Sequence, residues 1–304
     1  MVTILLLVNL ATAAAFFAGG AARRSASLVQ MKAAIGSDVE SLIKANRVRV
    51  ASLASIAPDV NEITRLRFAL QFPIQAEAED ALKATVKWRQ GAGRTIVESA
   101  AKAVADARAG GGWDNEIVRL AAPHAAVINP YITVKNILTI SMDEGDLMYV
   151  IRASAINDKD LMSKCSVAQL VEFLLYVKEV HSLIVNERSE RTGRLCGVVF
   201  ANDISGIRNI PDRKFSQALT ASSQQYEQLY PSLAGPTMIL NLPFVLQAFV
   251  GLFKPLFPKS VQARLVFERA PVLAKLKDLT PLTTEKISRQ SFLSEVDRLL
   301  LPLR

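Results

Sequence analysis

Four short apolar or β-branched runs, separated by long stretches of helical periodicity, constrain the fold of this chain more than any other feature. The runs occupy residues 147–153, 195–201, 237–240 and 264–267. The helical patterns between them cover residues 167–186, 212–229 and 244–257. Apolar runs of this length are typical of strands buried on both faces, and strands that alternate with helices imply right-handed crossovers. The sequence therefore predicts an α/β fold built on a mostly parallel β-sheet flanked by helices.

A small all-helical lobe is predicted ahead of the sheet. A first helix has Asp59 as an acceptable N-cap and ends before Pro73. A second helix starts near Ile74, and an alanine-rich third one covers residues 95–109 before three glycines stop it. The predicted organisation is a helical lobe at 38–110, an α/β domain at 111–280 and a C-terminal amphipathic helix at 281–304.

The first 37 residues differ in composition from the rest of the chain. A short apolar run is followed by small residues, and the stretch up to Ser37 then carries Arg23, Arg24 and Lys32 but no acidic residue. The run is too short for a membrane-spanning helix, which needs about 20 apolar residues. A signal peptide followed by a transit peptide has this composition, and the order resembles the bipartite leader of complex plastids. We expect residues 1–37 to direct the protein to a plastid, with secretion, an endomembrane lumen or a membrane anchor as alternatives.

The formal net charge of +8 favours an anionic partner, and removal of the three basic residues of the leader would not abolish it. The basic residues are scattered and do not alternate with aromatic ones, which argues against a nucleic-acid groove. Anionic membrane lipids fit better, because each well-placed Lys or Arg contributes about 1 kcal/mol to docking there. We therefore expect a peripheral membrane contact and no nucleic-acid partner.

No residue set for catalysis, cofactor binding or metal binding emerges from the sequence. It lacks a phosphate-binding glycine loop, a dinucleotide fingerprint and a nucleophile elbow. The cysteines and histidines lack metal-site spacing and are interpreted as structural; they are Cys165, Cys196, His124 and His181. An acidic cluster, made of Asp143, Glu144 and Asp146, is interpreted as a solvated turn. We therefore predict a protein that is not an enzyme and has no cofactor.

A phenylalanine-rich segment leaves two interpretations open. Between residues 244 and 257 the apolar residues repeat at i, i+1, i+4 and i+5, so one broad helix face is apolar. Phe244, Phe249 and Phe253 lie on that face. Such a helix either packs on the sheet as ordinary core or forms a movable lid that presses its side chains into a membrane. Periodicity alone does not decide between these interpretations.

Several short motifs occur in an order that is typical of one lipid-binding family. Leu66-Arg67-Phe68 and Trp88-Arg89 mark the helical lobe, and residues 145–150 mark the first parallel strand. The later pieces are Asp203-Ile204-Ser205-Gly206-Ile207, Tyr230-Pro231, Asn241-Leu242-Pro243-Phe244 and Phe253-Lys254-Pro255-Leu256. In this order and spacing the chain resembles the CRAL-TRIO lipid-binding domain of phosphatidylinositol-transfer-type proteins, together with its helical N-terminal lobe.

The resemblance implies a lipid or another lipophilic ligand, held in an apolar pocket between the sheet and a gating helix at 242–258. Phosphatidylinositol-transferring members surround the head group with two hydroxyl side chains, an acidic one and a basic one. The matching residues here are Val198, Phe200, Ser232 and Arg264, of which only the basic one is retained. Val198 and Phe200 also suit plain strand core. The implied ligand-binding residues are Val198, Phe200, Ser232, Phe244, Phe249, Phe253 and Arg264.

Two functions remain open from the sequence. The first is binding of a lipid or other lipophile by a monomer that exchanges or senses it at membranes. The second is a scaffold of the same fold that holds membrane or protein partners without exchanging lipid. An enzyme ranks behind both, because no nucleophile, base and orienting group can be assembled.

Overall fold

The computed structural model describes residues 34–111, 113–134, 136–141, 145–152, 155–203, 211–240 and 265–268. Several predicted features lie outside these residues: the leader up to residue 33, the gating segment 242–258, Arg264 and the C-terminal helix 281–304. Within the described ranges, no helix is long and apolar enough to cross a membrane.

Five helices form the N-terminal lobe, which confirms the predicted helical character of this region. They are α1 (Val39–Ala45), α2 (Arg47–Ile56), α3 (Glu62–Gln71), α4 (Gln75–Gln90) and α5 (Arg94–Arg108). The N-cap of α3 is Asn61 and not the predicted Asp59, because the Asn61 side chain accepts a hydrogen bond from the Thr64 N–H at 2.8 Å. Apolar side chains of α2, α3 and α4 pack together around Leu66 and Phe68.

The described part of the chain then forms a sheet of five strands, which lie in sequence order. The strands are β1 (Ile137–Ser141), β2 (Leu147–Arg152), β3 (Val198–Asp203), β4 (Ala234–Leu240) and β5 (Leu265–Glu268). Strands β2 to β5 are parallel, as predicted, while β1 pairs antiparallel with β2. Strand β1 was not predicted, because Thr139 and Ser141 interrupt its five residues and leave no long apolar run.

The helices that connect the described strands cover one face of the sheet. They are α8 (Asp158–Lys164) and α9 (Val167–Thr192) between β2 and β3, and α10 (Arg213–Leu229) between β3 and β4; two short helices, α6 (Asn115–Leu120) and α7 (Ala125–Ile128), lead from the lobe to β1. Helix α9 starts with a capping box formed by Ser166 and Gln169 and ends at Gly193 in a left-handed conformation. Side chains of α5, α9 and α10 pack with the sheet in one apolar cluster.

Side-chain alternation gives the sheet a helix face and a second face. Tyr149 on β2 lies 5.1 Å from the His181 ring of α9, and Phe200 on β3 lies 5.7 Å from the Tyr226 ring of α10. These residues therefore define the helix face. Because successive side chains of a strand point to opposite sides, the neighbours of Tyr149 and Phe200 along each strand point to the second face.

Asp146 is buried, which contradicts the predicted solvated turn. Its carboxylate accepts a hydrogen bond from the Gly197 N–H at 2.7 Å and pairs with Arg194 at 2.8 Å. The carboxylate therefore binds the backbone just before β3, a long-range contact that a local acidic pattern does not reveal. Asp143 and Glu144 lie outside the described residues. In the part of the chain that the structure describes, no group of side chains is suited to hold a metal ion.

Residues 34–37, which the predicted leader includes, belong to the described fold. Ala34 is buried among side chains of the lobe, and Gly36 and Ser37 exchange backbone hydrogen bonds with Leu195. Residues 34–37 therefore contact both the lobe and the segment before β3, while the predicted leader boundary after Ser37 stays a prediction. Both cysteines are buried and are not joined in a disulfide, in line with their predicted structural role.

Arg67 joins the helical lobe to the α/β domain. The Arg67 side chain extends from α3, and the residue is only 2% exposed. Its guanidinium donates to the Asn186 side chain at 2.8 Å, to the Ser232 carbonyl at 2.7 Å and to the Cys196 carbonyl at 2.6 Å. Burial lowers the pKa of Arg67 to about 10, which still leaves it charged at neutral pH. One side chain thus holds α3, α9 and the residues before β3 and β4 together.

We predict that Arg67→Met lowers the free energy of unfolding by about 3 kcal/mol, because it removes three charge-assisted hydrogen bonds and leaves buried acceptors unpaired. Urea unfolding followed by circular dichroism measures this loss. The matched control is Arg47→Met, since Arg47 is exposed at the start of α2. Equal stability of the two variants would contradict the role given to Arg67.

Candidate functional site

The second face of the sheet is a continuous apolar surface. The strand register places Met148 beside Val199 and Val150 beside Ala201, and Met238 of β4 continues the row next to Ala201. All five side chains are buried. They nevertheless belong to neither of the two apolar clusters that the described helices form. This face is therefore a candidate surface for an apolar ligand.

An ion pair marks the carboxyl end of the apolar surface. Arg152 ends β2 and Asp203 ends β3, and the two residues are partners in the strand register. The Arg152 Nε lies 3.1 Å from the Asp203 carboxylate, which is fully buried. A buried carboxylate requires a partner of this kind. The apolar surface therefore has one polar, charge-balanced end.

Three of the seven predicted ligand-binding residues lie in the described part of the chain. Val198 and Phe200 are buried on the helix face, where the Phe200 ring meets Tyr149 and Tyr226 edge-on. The structure thus places both in strand core and not on the second face. Ser232 is also buried, with a left-handed φ of 52° and a hydroxyl that has no hydrogen-bond partner among the described residues. The remaining four residues, Phe244, Phe249, Phe253 and Arg264, lie outside the described residues.

A cavity of about 250 Å³ lies between the helical lobe and α9. Its lining includes Arg67, Arg89, Glu179 and Tyr230. Arg89 donates two hydrogen bonds to the Glu179 carboxylate, at 2.7 and 2.8 Å, and the Tyr230 hydroxyl donates a third at 2.8 Å. The Glu179 side chain is only 1% exposed, so these three donors stabilise a buried charge.

The charges that line this cavity balance. Burial lowers the pKa of Arg89, but the hydrogen bonds and the charge of Glu179 outweigh that effect and raise the pKa overall. Arg89 and Glu179 therefore neutralise each other. Arg67 has only neutral hydrogen-bond acceptors, the Asn186 amide oxygen and two carbonyls, but Asp59 also lines the cavity and offsets its charge. The described lining therefore has no net charge.

Comparison with known protein families decides the identity of the fold. Residues 134–283, just under half of the chain, match the CRAL/TRIO domain. The chain carries a CRAL/TRIO domain. The matched region contains all five described strands, from β1 to β5. No curated protein matches the chain. CRAL/TRIO domains in general bind and transfer lipophilic ligands.

A buried lysine lies inside the helix-face core of the CRAL/TRIO domain. Lys178 of α9 is 8% exposed, and its Nζ lies 3.2 Å from the Ser222 hydroxyl and 5.2 Å from the centre of the Tyr226 ring. No carboxylate pairs with it among the described residues. Burial therefore lowers the pKa of Lys178 to about 7. Burial and the nearby Lys178 charge also lower the pKa of His181 to about 3, so that imidazole is neutral.

Sequence reasoning missed the polar residues of this domain that matter most for its electrostatics. Glu179 and Lys178 occur within the apolar pattern of α9. The only sequence signal for their role was that each is a charged residue at a position that faces the core. Arg67 was noted as part of a motif, but its partners lie more than a hundred residues away along the chain. None of these contacts has a local signature.

We predict that Lys178→Met stabilises the protein by about 2 kcal/mol at pH 6, because methionine fills a similar volume without a buried charge. The unfolded chain binds this proton up to a pKa of about 10.5, whereas the folded chain releases it near 7. The stability of the wild type should therefore rise between pH 7 and pH 10, and Lys178→Met should reduce that rise. Urea unfolding at several pH values measures both effects. Lys159→Met at the exposed start of α8 is the control, and an unchanged pH profile in Lys178→Met would refute the prediction.

Proposed function

We propose that this protein binds one lipid or similar lipophilic molecule on the second face of the sheet and exchanges it with membranes. The observation that carries the proposal is the apolar surface of Met148, Val150, Val199, Ala201 and Met238 within a CRAL/TRIO domain. The described helices pack on the opposite face. An apolar ligand would have an extended surface to contact at the second face, and the proposal needs no chemical step.

Transfer by such a carrier follows from the hydrophobic effect. Each buried CH₂ group contributes about 0.8 kcal/mol, so a long acyl chain leaves a membrane for water very slowly. A protein that offers the chain an apolar surface lowers this barrier. By resemblance, the segment 242–258 is the gate that opens this surface at a membrane, and the net positive charge of the chain favours anionic bilayers.

The proposed location is a plastid, and the proposed functional unit is a monomer. The location depends on the composition of the leader, which is basic and free of acidic residues. Secretion and an endomembrane lumen are the alternative destinations.

A scaffold of the same fold is the second candidate. Substitutions at Val198 and Val199 distinguish this scaffold from a carrier. These neighbours point to opposite faces of β3. We predict that Val199→Trp folds but loses at least about 90% of lipid transfer between vesicles, because the indole occupies the ligand's place. Val198→Trp should instead cost about 1 to 3 kcal/mol of stability, because Val198 packs in the apolar cluster that α9 and α10 form with the sheet.

Circular dichroism, urea unfolding and a vesicle transfer assay on both variants test this prediction. If Val199→Trp lost as much stability as Val198→Trp, the second face would be packed core and the scaffold would be favoured. A folded Val199→Trp with unchanged transfer would place the ligand elsewhere.

We predict that phosphatidylinositol is not an efficient cargo. The surface proposed for the ligand is formed by Met148, Val150, Val199, Ala201 and Met238, whose side chains cannot form hydrogen bonds with inositol hydroxyls. Two or three unpaired inositol hydroxyls would weaken binding by about 10² to 10⁴ fold. A transfer assay that compares labelled phosphatidylinositol with phosphatidylcholine, a galactolipid and an isoprenoid quinone measures this preference. Fastest transfer of phosphatidylinositol would refute the prediction.

A further inference from the structure

Residues 34–38, here called the clamp, connect the start of the described chain to the segment before β3. The Gly36 N–H donates a hydrogen bond to the Leu195 carbonyl at 2.9 Å, and the Leu195 N–H donates one to the Ser37 carbonyl at 2.9 Å. Asp38 continues this antiparallel pairing through a bridge to the residue before Leu195. The clamp therefore uses both backbone groups of Leu195, a residue with no exposed surface.

The side chains of the clamp pack against the lobe and against the sheet. Ala34 is 3% exposed and belongs to the same apolar cluster of the lobe as Leu195. Ile35 occupies the space beside two glycines, one just before β3 and one in β4. An added Cβ would lie 2.6 Å from the Ile35 Cδ1 at Gly197 and 3.7 Å from it at Gly235. The two glycines thus leave room for Ile35.

We infer that residues 34–38 belong to the mature protein and that proteolytic removal of the leader ends before Ala34. This inference rests on the proposed leader. Cleavage after Ser37 would leave the N–H and the carbonyl of the buried Leu195 without these partners, which a folded protein rarely tolerates. It would also remove Ile35 from its place beside Gly197. Cleavage before Ala34 keeps every one of these contacts and still removes the three basic residues of the leader.

The clamp lies at a position where it can stabilise the junction between the lobe and the sheet. It lies where the lobe meets the amino ends of β3 and β4, close to the backbone that also receives the hydrogen bond from Arg67 at Cys196. The clamp and Arg67 therefore stabilise the same junction from two sides. A mature chain that begins after the clamp would depend on Arg67 alone among these contacts.

Mass spectrometry of the N-terminus of protein isolated from its natural source tests the processing site. We expect the chain to begin at a residue between 3 and 34. A chain that begins at residue 35 or later would overturn the inference and leave the leader as a proposal. A chain that begins at residue 1 or 2 would overturn both the leader and the inference that depends on it.

A substitution in the full chain tests the packing independently of processing. Ile35→Ser should lower the melting temperature by about 3 °C or more, because it removes the apolar contact of the half-buried Ile35 side chain with the sheet. Val48→Ser is the matched control, since Val48 is 76% exposed on α2 and should give almost no shift. Equal melting temperatures for Ile35→Ser and the wild type would overturn the clamp.

Discussion

The buried guanidinium of Arg67 is the interaction on which the arrangement of the protein depends. It is the point where the helical lobe, α9 and the segments before β3 and β4 meet, and each of its three acceptors comes from a different part of the CRAL/TRIO domain. Because those acceptors are neutral, the contact consists of hydrogen bonds from a buried cation and contains no ion pair. The same contact fixes the position of the lobe, and Arg67 also lines the adjacent cavity.

The two faces of the sheet have different roles: the helix face packs against helices, and the second face is the proposed binding surface. On its helix face, aromatic residues such as Tyr149 and Phe200 form ring contacts with α9 and α10, and even polar groups such as Lys178 are enclosed. On its second face, the apolar row ends at the ion pair of Arg152 and Asp203. A stable helix side can hold the sheet in shape while the other side changes partners, which is the property that a lipid carrier requires.

The elements that could be predicted from the sequence are those with a strong local pattern. Continuous apolar runs located β2 to β5, and the helical lobe followed from periodicity and from helix stops. The short strand β1 escaped because polar residues alternate with its apolar ones, and α9 extends beyond its predicted end because its last turns are polar. The buried state of Asp146, the helix-face position of Phe200 and the partners of Arg67 depend on long-range pairing, so no local pattern could predict them.

Native mass spectrometry of the purified protein after incubation with vesicles of mixed plastid-type lipids tests the central claim most directly. The account predicts one lipophilic molecule per chain, retained through buffer exchange and released when the protein is unfolded by organic solvent. A chain that shows only its polypeptide mass after the same incubation, while circular dichroism confirms that it is folded, would contradict the account.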